Sequence, residues 1–170
     1  LFAPTSVLNT SAFTLDYYAT LNKTYVDHAY YIFTLSSGEG YAFTLHMYNS
    51  TIFAFINYGI PGSTSTRLAY DLKNYLGSDV KVQLRYDGVN YALFVDGIVV
   101  ESEAVNAPPV ISSDGQLRLC NGTNMIIRNV RISNTAHTAD KIASDAQLTS
   151  LPLEDDTTFL MPLNGDLSYL

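Results

Sequence analysis

Few residues in this 170-residue chain are of a type and spacing to do covalent or acid-base chemistry. Glu101 and Glu103 stand at i and i+2, which places two carboxylates on one face of a strand, the arrangement of an acid and a nucleophile flanking a glycosidic bond. They lie just before the Pro108-Pro109 segment and read as solvated charges at a strand end. His28, His46 and His137 are isolated from one another, and nothing in the spacing indicates a Ser-His-Asp site. Cys120 closes the apolar run Leu117-Arg118-Leu119-Cys120 with no histidine near it in sequence to generate a thiolate, so it reads as a small buried hydrophobe. A lone cysteine forms no internal disulfide, and there is no Cys/His spacing of metal type. The chain is therefore expected not to be an enzyme.

Recognition chemistry is better supplied. Thirteen Tyr and eight Phe, with no Trp, offer rings that stack on the C–H faces of sugars and hydroxyls that bond at an apolar surface. Tyr41, Tyr48, Asn49, Asn57 and Tyr58 fall around the ends of two successive strands, where rings and amides could meet a pyranose and its hydroxyls. These five are the expected ligand-binding residues. Each also has a plain reading as strand packing or turn chemistry.

Charge narrows the partners. Nine Lys and Arg against sixteen Asp and Glu give a net charge of −7, and the isoelectric point near 4.6 excludes the basic stripe that phosphate backbones require. No run approaches the roughly 18 apolar residues of a membrane span, and no basic-then-apolar leader opens the chain, so a soluble protein without membrane insertion is expected. Sequons at Asn9, Asn22, Asn49 and Asn121 are weak evidence of secretion in a chain rich in Asn, Ser and Thr.

The elements that must position these residues are strands. Phe13, Leu15, Tyr17 and Ala19 alternate with Thr14, Asp16 and Tyr18, giving one buried face. Ala29 to Leu35, Tyr41 to Tyr48 and Thr51 to Tyr58 repeat the pattern, each closed by a turn set of Ser, Gly, Asn or Pro, and short connections of this kind imply an antiparallel meander. Further strands are expected over Ser65 to Leu72, Asp79 to Tyr86, Tyr91 to Val95, Ile98 to Val100, Gln116 to Cys120, Met125 to Ser133 and Thr157 to Leu163. Asp87-Gly88 and Asp96-Gly97 are hairpin turns that join three of them into one ribbon, and Glu101 to Asp114 reads as a loop. The single helix expected starts at an N-cap, Thr138, with Ala139, Ile142, Ala143 and Ala146 on one face, and covers an edge. Regularly spaced short strands make an all-β chain, a two-sheet antiparallel sandwich of jelly-roll type with a short helix near the C-terminus.

Two segments resemble a known family. The run Asp79 to Val100, with its Tyr86-Asp87-Gly88 turn and Phe94-Val95-Asp96-Gly97 strand end, resembles the ribbon of concanavalin A-like and laminin-G-like domains. Ile127 to Ala136, followed by the helical turn Thr138 to Ile142, resembles that family's closing strand and helix, and Phe13 to Tyr18 its opening strand. The resemblance covers most of residues 12 to 145. Tyr17 or Tyr18 and Val80 stand where the family often has tryptophan, and no first strand is evident before residue 12. Thr158 to Asp166 resembles that missing strand, so residues 157–170 are expected to fold back and close one domain over 1–170, with the start of a following module as the other reading. The resemblance implies calcium, for which Asp155, Asp156, Asn164 and Asp166 are the expected ligands.

Together these readings lead to an expected role as a non-catalytic, carbohydrate-recognising adhesion module of a virion (phage tail) or bacterial surface protein, extracellular or on the virion. The expected partner is a cell-surface glycan or polysaccharide. The alternative is a structural assembly domain making fibre or capsid-decoration contacts as a homotrimer or beside tandem neighbours.

Overall fold

The computed structural model describes residues 2–4, 11–22, 30–37, 40–104, 108–110, 116–121 and 125–162. Among them are β1 (Phe2–Pro4), β2 (Phe13–Leu21), β3 (Tyr30–Ser37), β4 (Gly40–Tyr48), β5 (Thr51–Tyr58) and β6 (Thr66–Asp71). Then follow β7 (Asp79–Tyr86), β8 (Asn90–Val95), β9 (Ile98–Ala104), β10 (Gln116–Asn121), β11 (Met125–Ser133), the helix α1 (Ala139–Asp145) and β12 (Thr157–Pro162). The strands form two six-stranded antiparallel sheets, ordered β1-β10-β3-β4-β5-β6 and β12-β11-β2-β7-β8-β9. The expected two-sheet sandwich is the fold observed.

The period-two pattern decides what fills the space between the sheets. Phe13, Leu15, Tyr17 and Ala19 of β2, with Val80, Val82 and Leu84 of β7, face Phe43, Leu45 and Met47 of β4 and Ile52, Ala54 and Ile56 of β5 in one buried cluster. Phe13 reaches across the layer to Phe43, their ring centroids 6.2 Å apart, and also contacts Tyr86 and Tyr91, which stack on each other at 4.4 Å. Each of these large side chains contributes roughly 1.5–3 kcal/mol through its burial. The ribbon β7-β8-β9 forms as expected. Its second turn, Asp96-Gly97, has two residues at φ +48 and +81, the geometry a two-residue hairpin demands. The first is a three-residue loop in which the Asp87 carboxylate accepts from the Val89 and Asn90 amides.

Four expectations need correction. β9 does not stop at Val100: Glu101 to Ala104, read as loop, continue the strand opposite Leu93 to Asn90, because an edge strand exposed on both faces has no apolar alternation to announce it. A strand does precede residue 12, since Phe2–Pro4 pair with Arg118 to Gln116 at the sheet edge, where a proline is tolerated. The Asp87-Gly88 turn is the wider loop just described. Finally, α1 covers a face as well as an edge. Ile142 is fully buried against Ala92 and Phe94 on the outer side of the second sheet. Thr138 caps the helix by accepting from the Lys141 amide, as expected. Gly97 makes the seating possible, since a Cβ there would lie 2.8 Å from the Ala143 Cα. β12 pairs antiparallel with β11 at the edge of the second sheet. Among the described residues no helix is long and apolar enough to cross a membrane.

Candidate functional site

The five expected ligand residues do not converge. Antiparallel register sets Tyr41 opposite Tyr58 at one end of the β4-β5 hairpin and Tyr48 opposite Thr51 at the other, beside Asn49. Seven residues of strand, roughly 23 Å, separate Tyr41 from Tyr48. Asn57 is buried at φ +53; its amide nitrogen donates to the Pro108 carbonyl (3.0 Å) and its Oδ1 accepts from the Val110 amide (2.8 Å). This side chain clamps residues 108–110 to the end of β5 and is buried there at 1% exposure. Tyr58 is 51% exposed and Tyr48 44% exposed.

Register and alternation assemble a different set around Tyr58. Thr44 lies opposite Phe55 and His46 opposite Phe53, while on the other flank Phe55 lies opposite Arg67. Ile52, Ala54 and Ile56 take the core, so Phe53, Phe55 and His46 point to the outer face of the first sheet. The His46 ring lies 5.3 Å from Phe55 and nearly parallel to it (7°), and 5.4 Å from Phe53. Phe55 contacts Tyr58 at 5.1 Å, and the Arg67 guanidinium sits 5.1 Å over the Phe53 ring. Burial lowers the His46 pKa, so the imidazole is neutral at physiological pH and adds one more flat, uncharged ring to the stack. Burial also rises across this face: Arg67 is exposed, Phe53, Phe55 and His46 are half-buried, and Thr44 and Thr34 are buried. The rings thus pave the open side of a partly covered surface.

Only Tyr58 of this set was anticipated. The signal for the others was present in Ile52-Phe53-Ala54-Phe55-Ile56, a run apolar on both faces of a strand, which an ordinary solvent-facing sheet does not need.

The outer face of the second sheet carries a charge network instead. Arg131, fully buried, donates from Nε and Nη2 to Asp16 Oδ2 at 2.9 Å, and its Nη2 also binds Asp145. Its Nη1 lies 3.3 Å from Glu154. Lys141 Nζ bridges Asp145 at 2.6 Å and Glu154 at 2.7 Å. Tyr18 donates to the Asp145 carbonyl, and Lys81 Nζ lies 4.9 Å over the Tyr18 ring. Two carboxylates, Asp16 and Asp145, do meet here, but their side chains are 0% and 3% exposed and share one guanidinium, an arrangement closed to any substrate. Glu101 and Glu103 are no better placed for catalysis: Glu101 accepts from the Ala69 amide at the edge of the first sheet, and Glu103 is exposed.

His137, Glu154 and Asp156 bring ligand atoms within 4.8 Å of one another, close enough for a metal ion. Glu154 is already engaged by Arg131 and Lys141, and Asp156 accepts from Thr135 and lies 3.0 Å from His137 Nε2, so an ion would have to displace these bonds beside two cations. Of the expected calcium ligands, Asp156 belongs to this cluster and Asp155 is exposed next to it, whereas Asn164 and Asp166 lie outside the described residues.

The network sets the response to acid. Burial opposes ionisation of Asp145, but bonds from Lys141 and Arg131 outweigh it and hold the carboxyl below its ordinary range. In Asp156 the Thr135 and His137 bonds likewise outweigh burial. Asp16 goes the other way, pushed up by burial against the pull of Arg131. Depressed folded pKa values stabilise fully above about pH 4 and lose that contribution as the pH falls through them, with Asp16 offsetting part of the loss. Denaturant unfolding from about pH 6 to pH 2 is expected to show stability falling below about pH 4, less steeply in Asp156→Asn; a variant with the parental slope contradicts the assignment. Arg131→Met, which strands Asp16 and Asp145, is expected to cost about 3–5 kcal/mol in the same measurement at neutral pH.

No protein-family model and no curated protein matches the sequence. Solved structures do match the fold. The binding domain of botulinum neurotoxin serotype G gives a TM-score of 0.65 at 15% identity, over 81% of this chain and 36% of that one. The receptor binding domain of the mosaic serotype C/D neurotoxin gives 0.68 at 12% identity, over 81% and 36%. The serotype D ligand binding domain, solved in complex with N-acetylneuraminic acid, gives 0.67 at 12% identity, again over 81% and 36%. The chain spans little more than a third of the length of these structures. At such identities the likeness establishes the fold alone: an antiparallel β-sandwich of the kind found within these toxin receptor-binding domains.

Proposed function

We propose that the chain is a non-catalytic carbohydrate-recognition module acting at a cell or virion surface, with a cell-surface glycan as its partner. The observation that carries this reading is the outward array of Phe53, Phe55, His46 and Tyr58. Flat rings on a rigid sheet bury the C–H face of a pyranose at low entropic cost, since the strands already fix their orientation. The fold supports the reading through its likeness to toxin receptor-binding domains, one of them solved with a sugar acid. Binding to a broad panel of bacterial and animal polysaccharides is the test. Phe55→Ala and Tyr58→Ala are expected to weaken binding by roughly tenfold each, about 1.4 kcal/mol, with little change in melting temperature. A panel with no binder, or full affinity retained in both folded variants, overturns the proposal.

We also propose a structural calcium ion bound through Asp155 and Asp156, with Asn164 and Asp166 as its further expected ligands; it would have to displace the Thr135 and His137 bonds to Asp156. Thermal melts with EDTA and with added calcium test it: a midpoint raised by calcium is expected, and superimposable curves remove the ion from the account.

A further inference from the structure

Arg67 is the cation of the aromatic face. It is exposed, and among the described residues it forms no ion pair, whereas Arg85, Arg128, Arg131 and Lys141 all have acidic partners. In a chain with sixteen acids and nine bases such a cation has no shortage of candidates. The carboxylate that reaches β6 from β9, Glu101, accepts from the Ala69 amide and does not pair with Arg67. The guanidinium lies instead over Phe53, and its strand position is directly opposite Phe55. Cross-strand neighbours stand about 5 Å apart at Cβ, so a group stacked on Phe55 and Tyr58 has this guanidinium at its rim. The rings of the face supply no competing charge, His46 being neutral, and the acids on or beside β6 are engaged elsewhere: Glu101 by the Ala69 amide, Asp71 by Ser50 and the Lys73 amide.

Resting on the carbohydrate reading, we infer that this face selects a carboxylate-bearing sugar, its ring stacked on Phe55 and Tyr58 and its carboxylate held by the Arg67 fork. A planar guanidinium matches a carboxylate bidentately, and stacking on Phe53 holds that fork in plane before the ligand arrives. Neutral sugars would use the rings alone. Selection then comes from a charge-assisted contact that only the acid can make, in a chain whose overall charge of −7 would otherwise repel such a ligand.

Polygalacturonate and its methyl ester, which differ only at the carboxyl group, ionised in one and esterified in the other, are suitable probes together with polysialic acid and a neutral galactan. Wild type is expected to prefer the acidic polymers, with an affinity that falls as salt rises. Arg67→Gln is expected to lose roughly tenfold in affinity for an acidic polymer while keeping its affinity for the neutral ones, and Arg67→Lys to recover part of the loss. Equal binding of acid and ester by wild type, or equal losses on both in Arg67→Gln, overturns the acid preference and leaves the carbohydrate reading standing. Failure of all four polymers to bind, or binding untouched by Phe55→Ala, overturns both.

Discussion

A guanidinium buried without charge around it costs several kcal/mol, and Arg131 is buried completely. Its compensation comes from three separate pieces of chain: Asp16 from β2, Asp145 from α1, and Glu154 from the segment before β12. Losing any one of these weakens the compensation of a buried charge, so the three contacts tie α1 and the Glu154 segment over the outer face of the second sheet. That third layer explains why β2 is buried on both faces although its outward positions are Thr14, Asp16 and Tyr18. One broad face of the sandwich is thereby consumed by the chain itself.

The other broad face is left to do something else. On its β4-β6 side no ionic layer covers the sheet among the described residues, and rings stand out among the outward side chains. Half-buried Phe53 and Phe55 lose little by becoming more buried, and their stacking on His46 and Tyr58 already fixes their orientation. A surface so prepared suits a flat, partly apolar visitor, with the Arg67 guanidinium at its border.

Much of the architecture is legible in the residues because it depends on short-range alternation. The meander, the Asp96-Gly97 turn, the Thr138 cap and the returning strand at Thr157 all follow from patterns within a few positions. What is illegible depends on pairing at distance. Arg131 and Asp16 are 115 positions apart, and nothing local marks either as half of a buried pair. Asn57 has the composition of a ligand residue, yet its amide is spent on a loop 51 to 53 positions away, a contact invisible to any spacing rule. Tyr41 and Tyr48 share one strand, and only its extended rise shows that they stand at opposite ends. The aromatic face was half-visible: its rings read as strand filler because the strand they occupy is apolar on both sides.

The carboxylate of Glu101 sits on the backbone amide of Ala69, at the rim of the first sheet. An unpaired rim of this kind is where a foreign strand would zip on and where β-rich proteins polymerise. With one donor already claimed and a negative charge parked beside it, an approaching chain finds the ladder short of a rung and the neighbourhood repulsive. Neighbouring copies can then lie flank to flank as separate units, without their sheets fusing into a continuous fibril.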